Sequence, residues 1–251
     1  GHIYAAKVMN LNETNRIWVT KCLKHEMFIS KLLQHPNIVR TYDYFKTNTY
    51  AVIIMEYYSN GSIRLEMDRQ NHPYDTGEAG RLFTGLITGL QYMHSKNIAH
   101  RDLRLENILY NHRNGKILII NFGLARFVIN DTTCINDHRG SSAYISPDVL
   151  KRRPYAPKPS DCWALGVIFY SMLLGKFPFY AETFNELFKK INIGHYDLPT
   201  INLFTSETMK IMRSLIEIDS DKRININELY DRLKQILDTR LRENLFKEMQ
   251  T

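Results

Sequence analysis

The sequence predicts an α+β fold with two unequal parts, a short strand-rich segment followed by a long helical one. Three strand-like runs and one helical pattern fall within residues 1–58, and from residue 160 onward the pattern is helical. Hydrophobic residues make up 44% and charged residues 24% of the 251 positions, which is typical of a globular protein and excludes disordered and collagen-like chains. We therefore expect a small first lobe, residues 1–58, and a helical second lobe, residues 59–251.

The first lobe is predicted to contain a strand, a helix and two further strands. These elements are expected at residues 2–9, 14–34, 38–45 and 50–57. The helix should end at His-Pro-Asn, residues 35–37, because the residue before a proline avoids the helical conformation. A Ser-Asn-Gly breaker at 59–61 then marks the boundary between the lobes.

The second lobe begins with a helical pattern at 77–95 that places leucines on one face. Asn114-Gly115 predicts a hairpin between strands at 108–110 and 116–120. Four further helices are expected at residues 160–174, 181–192, 206–218 and 227–249.

The charge and the apolar runs limit the classes of partner. The net charge is +7, but acids are interleaved with the basic residues, whereas a nucleic-acid binder usually concentrates its charge in a patch. We expect a basic solvated surface and no nucleic-acid partner; the alternative is an acidic partner or substrate.

The longest apolar stretch, Trp163–Leu174, is too short to span a bilayer, so no membrane partner is expected. Three cysteines without ligand spacing favour a reducing, cytoplasmic location.

Residues 100–107 read H-R-D-L-x-x-x-N, and at this motif the sequence resembles the protein kinases. Companion motifs occur in the order of that family and extend the resemblance over essentially the whole chain. They are residues 4–7 for V-A-I-K, Glu26 for the helical glutamate, 121–123 for D-F-G, 146–148 for A-P-E, 161–166 for D-x-W-x-x-G, and Arg223 for the late arginine. The resemblance implies a bilobal kinase fold.

The type of kinase follows from two further stretches. Residues 140–144, Gly-Ser-Ser-Ala-Tyr, resemble the G-[TS]-x-x-Y of serine/threonine kinases. Residues 105–107 and 154–161 are most similar to the calmodulin-dependent and AMP-activated-related branch. The resemblance implies transfer of the γ-phosphate of ATP, with Mg²⁺, to serine or threonine of a protein substrate. The alternative is a pseudokinase that acts as a scaffold or allosteric partner of a regulatory protein.

The resemblance also implies roles for individual residues, because phosphoryl transfer depends on positioning and on neutralising negative charge. Lys7, held by Glu26, would contact the α- and β-phosphates. Asp102 would accept the proton of the substrate hydroxyl. Arg104 stands near the γ-phosphate where these kinases usually have lysine, and it keeps the positive charge on a bulkier, forked group.

The adenine contacts implied by the resemblance come from both lobes. The backbones of Glu56 and Tyr58 would bind the edge of the base. Ala5 and Leu109 would enclose its two faces.

The metal positions are where the sequence departs from the family. Asn107 would bind a metal ion, but Asn121 replaces the metal-binding aspartate. An amide offers one neutral oxygen and cannot supply the negative charge that holds Mg²⁺. A loss of ~4 kcal/mol in transition-state stabilisation would slow the reaction on the order of 10³-fold. The sequence therefore leaves an impaired kinase and a pseudokinase as open alternatives.

Three smaller departures concern the first lobe and the A-P-E motif. No glycine-rich loop precedes Lys7, and because residue 1 is glycine we expect roughly 20–30 further residues before it; a shorter chain is the alternative. Ser30 stands where the family places leucine or methionine. A buried serine there would lose roughly 1.5–3 kcal/mol of the free energy of apolar burial. Asp148 replaces a glutamate and should still pair with Arg223.

The activation loop carries an acid where kinases of this type carry a phosphothreonine. Arg101 and Arg126 correspond to the two cations that hold that phosphate. The corresponding loop position is Asp137, and we hypothesise that its carboxylate pairs with both arginines in place of a phosphate. The alternative is an exposed loop acid without a partner.

Overall fold

The computed structural model describes residues 2–12, 16–111, 114–130, 133–198 and 204–248. The strands are β1 (Tyr4–Asn10), β2 (Thr41–Lys46), β3 (Tyr50–Glu56), β4 (Ile98–Ala99), β5 (Ile108–Asn111), β6 (Lys116–Ile119) and β7 (Arg126–Phe127). The helices are α1 (Arg16–Leu32), α2 (Ile63–Gln70), α3 (Thr76–Ser95), α4 (Pro147–Leu150), α5 (Pro157–Leu174), α6 (Phe184–Ile193), α7 (Ser206–Leu215) and α8 (Ile226–Glu248). The predicted α+β class, strand-rich at the start and helical after it, is confirmed.

The first sheet is antiparallel with the order β1-β3-β2. Its apolar strand β3 lies in the centre, and in β1 Ala5 pairs with Met55 and Lys7 with Ile53. Side chains two residues apart in a strand share a face, so Ala5 and Lys7 project together. Both are half-buried, whereas their neighbours along β1 are exposed. The sheet therefore presents the lysine on its inner face.

Helix α1 turns a mixed face toward the interior. Glu26, Ile29, Ser30 and Leu33 are all buried. These positions follow the i, i+3, i+4, i+7 spacing of one helix face, with Leu33 just after the last helical residue. The glutamate is therefore brought to the inner side of the first lobe by the same periodicity that buries the isoleucine.

Helix α5 forms the centre of the helical part. Fifteen of its eighteen residues are buried, so it is a core helix and not an amphipathic surface helix. It packs against α3 and α7. Gly166 permits the close approach to α7, because a Cβ at this position would lie 2.7 Å from the Cβ of Leu215. The apolar run in the sequence is thus explained by burial on all sides.

Several predicted elements differ in extent from those observed. The strand expected at 38–45 starts at Thr41, and Ile38 instead forms an isolated bridge with Ile119. Helix α2 was not predicted; Ser62 caps it, accepting a hydrogen bond from the backbone of Leu65, but its polar sequence has no apolar stripe. The outermost residues of two predicted helices, 14–15 and 249, lie outside the described residues.

Among the described residues, no helix combines the length and the apolar character needed to cross a membrane.

Candidate active site

Lys7 and Glu26 form the first contact of the site. The Lys7 Nζ lies 2.6 Å from the Glu26 Oε1, and the glutamate side chain is 7% exposed. The register of β1 and the inner face of α1 together produce this ion pair. Lys7 also donates a hydrogen bond of 3.1 Å to the Oδ1 of Asn121. The pairing expected from the resemblance is therefore present.

Asp161 holds the catalytic loop, residues 100–107. Its carboxylate accepts hydrogen bonds from the backbone N–H groups of His100 at 2.8 Å and Arg101 at 2.7 Å, and it lies 2.9 Å from His94 Nε2. Asp161 is 1% exposed. Arg101 adopts φ 68°, a conformation that non-glycine residues rarely take, so these bonds hold a strained backbone. That backbone fixes the position of Asp102, the next residue.

The Asp102 carboxylate is held by two neighbours. The Asn107 Nδ2 donates to Asp102 Oδ2 at 2.9 Å and to its carbonyl at 2.8 Å. Ser141 lies in the activation segment, the stretch that also carries Asp137. Its Oγ donates to Asp102 Oδ1 at 3.2 Å. Both carboxylate oxygens are therefore oriented, as a proton acceptor requires.

Arg104 connects the activation segment to the catalytic loop. Its Nη1 donates to Ser141 Oγ at 2.6 Å, and its Nε donates to Glu106 Oε2 at 2.8 Å. The hydrogen bond to Glu106 raises the pKa of the Arg104 guanidinium. The forked group thus makes two contacts at once, which a lysine ammonium cannot do with the same fixed geometry.

Asn107 and Asn121, the two predicted metal positions, bond to each other. The Asn121 Nδ2 donates to Asn107 Oδ1 at 3.2 Å. Both amide oxygens accept hydrogen bonds within the protein, since Asn121 Oδ1 receives the Lys7 ammonium. In the described part of the chain, no group of three or more His, Cys, Asp or Glu side chains could hold a metal ion. Proteins usually hold Mg²⁺ with one or two carboxylates together with substrate phosphates, and this pair offers two neutral amides instead, so it fits a Mg²⁺ site poorly.

A cavity of about 350 Å³ opens between the first sheet, α1 and the catalytic loop. Five of the predicted site residues line it: Ala5, Lys7, Glu26, Asn107 and Asn121. Its volume lies within the range of small-molecule sites, roughly 300–1,000 Å³. The cleft therefore brings the Lys7–Glu26 pair, the two asparagines and an apolar wall into one space, while Asp102 and Arg104 are not part of its lining.

Three predicted adenine contacts lie outside this lining. Glu56 ends β3, and its backbone N–H donates to the Arg40 carbonyl at 2.9 Å. Tyr58 is half-buried after it, and burial raises the pKa of its hydroxyl to about 12. Leu109 lies in β5 and forms an isolated antiparallel bridge with Ser62. Their roles stay predictions.

Apart from Ala5, the apolar wall of the cavity is not among the predicted site residues, although Phe122 belongs to the motif at 121–123. It includes Val39, Ile53, Met55, Ile120 and Phe122. The alternation of β3 was the available signal, because Ile53 and Met55 pair with Lys7 and Ala5 and so share their part of the sheet. Val39 and Ile120 lie in loops, where no periodicity points to a site.

Ser30 is the polar residue in the wall of this cavity. It is 3% exposed, and its hydroxyl donates to the Met27 carbonyl at 3.1 Å. The expected burial of a polar group in α1 is thus accompanied by a local hydrogen bond, which offsets part of the cost of desolvation.

Asp137 is paired, but its partners differ in part from the predicted ones. Arg101 Nη2 lies 3.1 Å from Asp137 Oδ2, as expected. The second cation is Arg139, which donates two hydrogen bonds of 2.6 Å, while Arg126 donates to the Ala125 carbonyl. The hydrogen bonds from Arg139, with the charge of Arg101, lower the pKa of Asp137 to about 2.

We expect this clamp to make stability depend on pH at the acid end. A carboxyl whose pKa is lowered by folding stabilises the protein above its ordinary pKa of about 4, and this contribution is lost as the pH falls toward 2. After allowance for solvent screening of this partly exposed carboxyl, Asp137→Asn should cost about 1–2 kcal/mol at pH 7. The gap in Tm between the two proteins should shrink between pH 5 and pH 2. The measurement is thermal unfolding across this range.

The control for Asp137→Asn is Asp68→Asn. Asp68 is an exposed acid in α2 that pairs only with Arg64 among the described residues, at 3.1 Å. This control should change stability by less than about 0.5 kcal/mol. A gap for Asp137→Asn that stays constant from pH 5 to pH 2 would contradict the clamp.

Comparison with known proteins agrees with this geometry. The model of the protein kinase domain family matches residues 1–233. Serine/threonine-protein kinase 40 from Gallus gallus is 42% identical over 156 residues, 62% of this chain and 36% of that protein. The protein of the same name from Homo sapiens is 40% identical over 156 residues, with the same coverage.

A fungal relative extends over more of the chain. Mitosis inducer protein kinase cdr1 from Schizosaccharomyces pombe is 32% identical over 205 residues, 82% of this chain and 34% of that protein. The chain therefore spans about a third of the length of these relatives. Two of the names contain the words serine/threonine-protein kinase, which agrees with the type indicated by residues 140–144. With its catalytic loop, lysine–glutamate pair and D-x-W-x-x-G helix in place, the chain belongs to the protein kinase domain family.

Proposed function

We propose that this domain binds ATP in the cleft and transfers its γ-phosphate to serine or threonine of a protein substrate, at a rate reduced by Asn121. The observation that carries the proposal is the oriented Asp102 carboxylate, held by Asn107 and Ser141 at 2.9 and 3.2 Å. Such orientation serves a base that receives a proton from an incoming hydroxyl.

The charges around Asp102 support the same reaction. Lys7, fixed by Glu26, supplies a positive charge beside the cavity, and Arg104 supplies a second one beside the base. Phosphoryl transfer needs such charges, because negative charge spreads over the transferred group. We assign Lys7 to the α- and β-phosphates and Arg104 to the γ-phosphate, and we assign no step to a metal ion.

A second candidate is a pseudokinase that acts as a scaffold or allosteric partner of a regulatory protein. The specific observation in its favour is that the two amide oxygens that a metal would need already accept hydrogen bonds, Asn107 Oδ1 from Asn121 and Asn121 Oδ1 from Lys7. In this candidate the cleft is a ligand-binding or structural element, and Asp102 performs no proton transfer.

Further proposals rest on the resemblance, on the Ser-Asn-Gly breaker at 59–61 and on the three cysteines without ligand spacing. We place the chain in the calmodulin-dependent and AMP-activated-related branch, with a lobe boundary between residues 58 and 59 and an intracellular site of action. We also propose protein partners alone, without nucleic acid or membrane, because the basic residues are interleaved with acids along the chain.

Transfer of labelled γ-phosphate from ATP to a generic protein acceptor tests the catalytic proposal on the full-length protein. Asp102→Asn keeps the shape of the side chain but removes its basicity, so it should lower the rate by about 10²-fold or more. Asp68→Asn changes an exposed side chain of α2 that does not line the cavity, so it should leave the rate unchanged. A wild-type rate no higher than that of Asp102→Asn would reject the catalytic proposal in favour of the scaffold.

A further inference from the structure

Three side chains in the cleft form one directed series of hydrogen bonds. The Lys7 ammonium donates to Asn121 Oδ1 at 3.1 Å, and Asn121 Nδ2 donates to Asn107 Oδ1 at 3.2 Å. Asn107 Nδ2 then donates to Asp102 at 2.9 Å. Asn121 acts as acceptor on one side and donor on the other. An ionised aspartate accepts only, so it could not make the second contact.

This series changes the charge that a bound nucleotide would meet. Among the site residues assigned to the phosphates or the base, Lys7 and Arg104 are positive, Glu26 and Asp102 are negative, and Asn107 and Asn121 are neutral. An aspartate at 121 would add a further negative charge directly beside the lysine. ATP without a metal carries about four negative charges, so each added carboxylate repels it, whereas a neutral amide does not.

Lys7 keeps a donor for a ligand. Its ammonium has three N–H groups, and two are used by Glu26 and Asn121. The side chain is 34% exposed toward the cleft, so the third N–H can reach a phosphate oxygen. The cleft therefore retains a cation for phosphate, while the two positions predicted to hold Mg²⁺ are neutral amides.

We propose that the cleft binds the nucleotide in its metal-free form, and that Asn121 makes this possible by avoiding a carboxylate beside the phosphates. The inference rests on the proposed nucleotide binding and deepens it by naming the ionic form of the ligand. It requires neither a metal ion nor phosphoryl transfer.

Calorimetric titration of the full-length protein with ATP, in EDTA and in MgCl₂, tests this inference. For the wild type, the dissociation constants in the two buffers should agree within about 3-fold. Asn121→Asp should bind ATP about 10- to 100-fold more weakly than the wild type in EDTA, because of the added charge. In MgCl₂ the same variant should recover its affinity.

Two further variants separate charge from geometry and from general effects. Asn121→Ala breaks the hydrogen-bond series without adding charge, so its affinity in EDTA should stay within about 3-fold of the wild type. Asn227→Asp adds the same charge in α8, where residue 227 accepts a hydrogen bond from Gln91. This variant should bind ATP as the wild type does, both in EDTA and in MgCl₂. Thermal unfolding of each variant without ligand confirms that it is folded.

The outcomes distinguish this inference from the function on which it rests. Wild-type binding that is about 10-fold or more tighter with MgCl₂ than with EDTA would overturn the metal-free form and leave the nucleotide site standing. Absence of binding in both buffers would overturn the nucleotide site itself. If Asn121→Ala and Asn121→Asp weakened ATP binding in EDTA equally, the hydrogen-bond geometry and not the charge of residue 121 would determine the affinity. That result would also overturn the inference.

Discussion

Replacing Asn121 with aspartate is expected to raise the rate of γ-phosphate transfer in MgCl₂ by about 10²- to 10³-fold. The aspartate supplies the charged oxygen that the Asn107–Asn121 pair lacks, and ~4 kcal/mol of transition-state stabilisation corresponds to a factor on the order of 10³. Residue 121 has φ 69°, a conformation that asparagine and aspartate both tolerate, so the exchange should not disturb the backbone. Single-turnover transfer at saturating ATP measures the effect.

Controls for this prediction use the same position and the same base. Asn121→Ala should give no gain, because it supplies no ligand. The double variant Asn121→Asp, Asp102→Asn should fall back by about 10²-fold or more, because the proton acceptor is lost. A rate for Asn121→Asp equal to that of the wild type would mean that Asn121 is not the lesion that limits this site.

The second large effect is expected at Asp161, where replacement by alanine should destabilise the fold by about 3–5 kcal/mol. The change leaves two buried backbone N–H groups, of His100 and Arg101, without their acceptor, and unsatisfied buried donors cost roughly 1–3 kcal/mol each. His94 loses its partner at 2.9 Å as well. Urea unfolding followed by fluorescence and by circular dichroism measures the loss.

The same substitution should release the strained backbone at Arg101. Without Asp161, the φ of 68° is no longer held, and Asp102 moves with its neighbour. The matched control is Asp68→Ala in α2, which should cost less than about 0.5 kcal/mol because Asp68 is exposed. Stability of Asp161→Ala within 1 kcal/mol of the wild type would show that the loop is held by other contacts.

Much of the fold was predictable because the local signals were strong. The hairpin of β5 and β6 was predicted from Asn114-Gly115, and α5 from its apolar run. Helix α2 was missed because a short polar helix shows no periodic stripe; what fixes it is the Ser62 cap and its packing on β5. The boundary of β2 was misplaced because Ile38 is apolar for a different reason, namely a bridge to Ile119.

The contacts of the site were predictable where they join motif residues, and not where they depend on how separate segments pack. The Lys7–Glu26 and Asp148–Arg223 pairs, at 2.6 and 2.8 Å, were predicted because each joins two motif residues. The bond between Asn121 and Asn107 was not, because it depends on how two loops meet. Arg139 was likewise missed as a partner of Asp137.

The small side chain of Ser30 has a consequence for small-molecule recognition. In the wall of the cavity, beside Glu26 and Phe122, serine occupies less volume than the leucine or methionine usual at this position in the family. The difference amounts to a few carbon atoms of space at the inner end of the cleft. An adenine analogue with a small branched alkyl substituent directed at Ser30 should therefore bind this protein and clash with kinases that carry the larger residue.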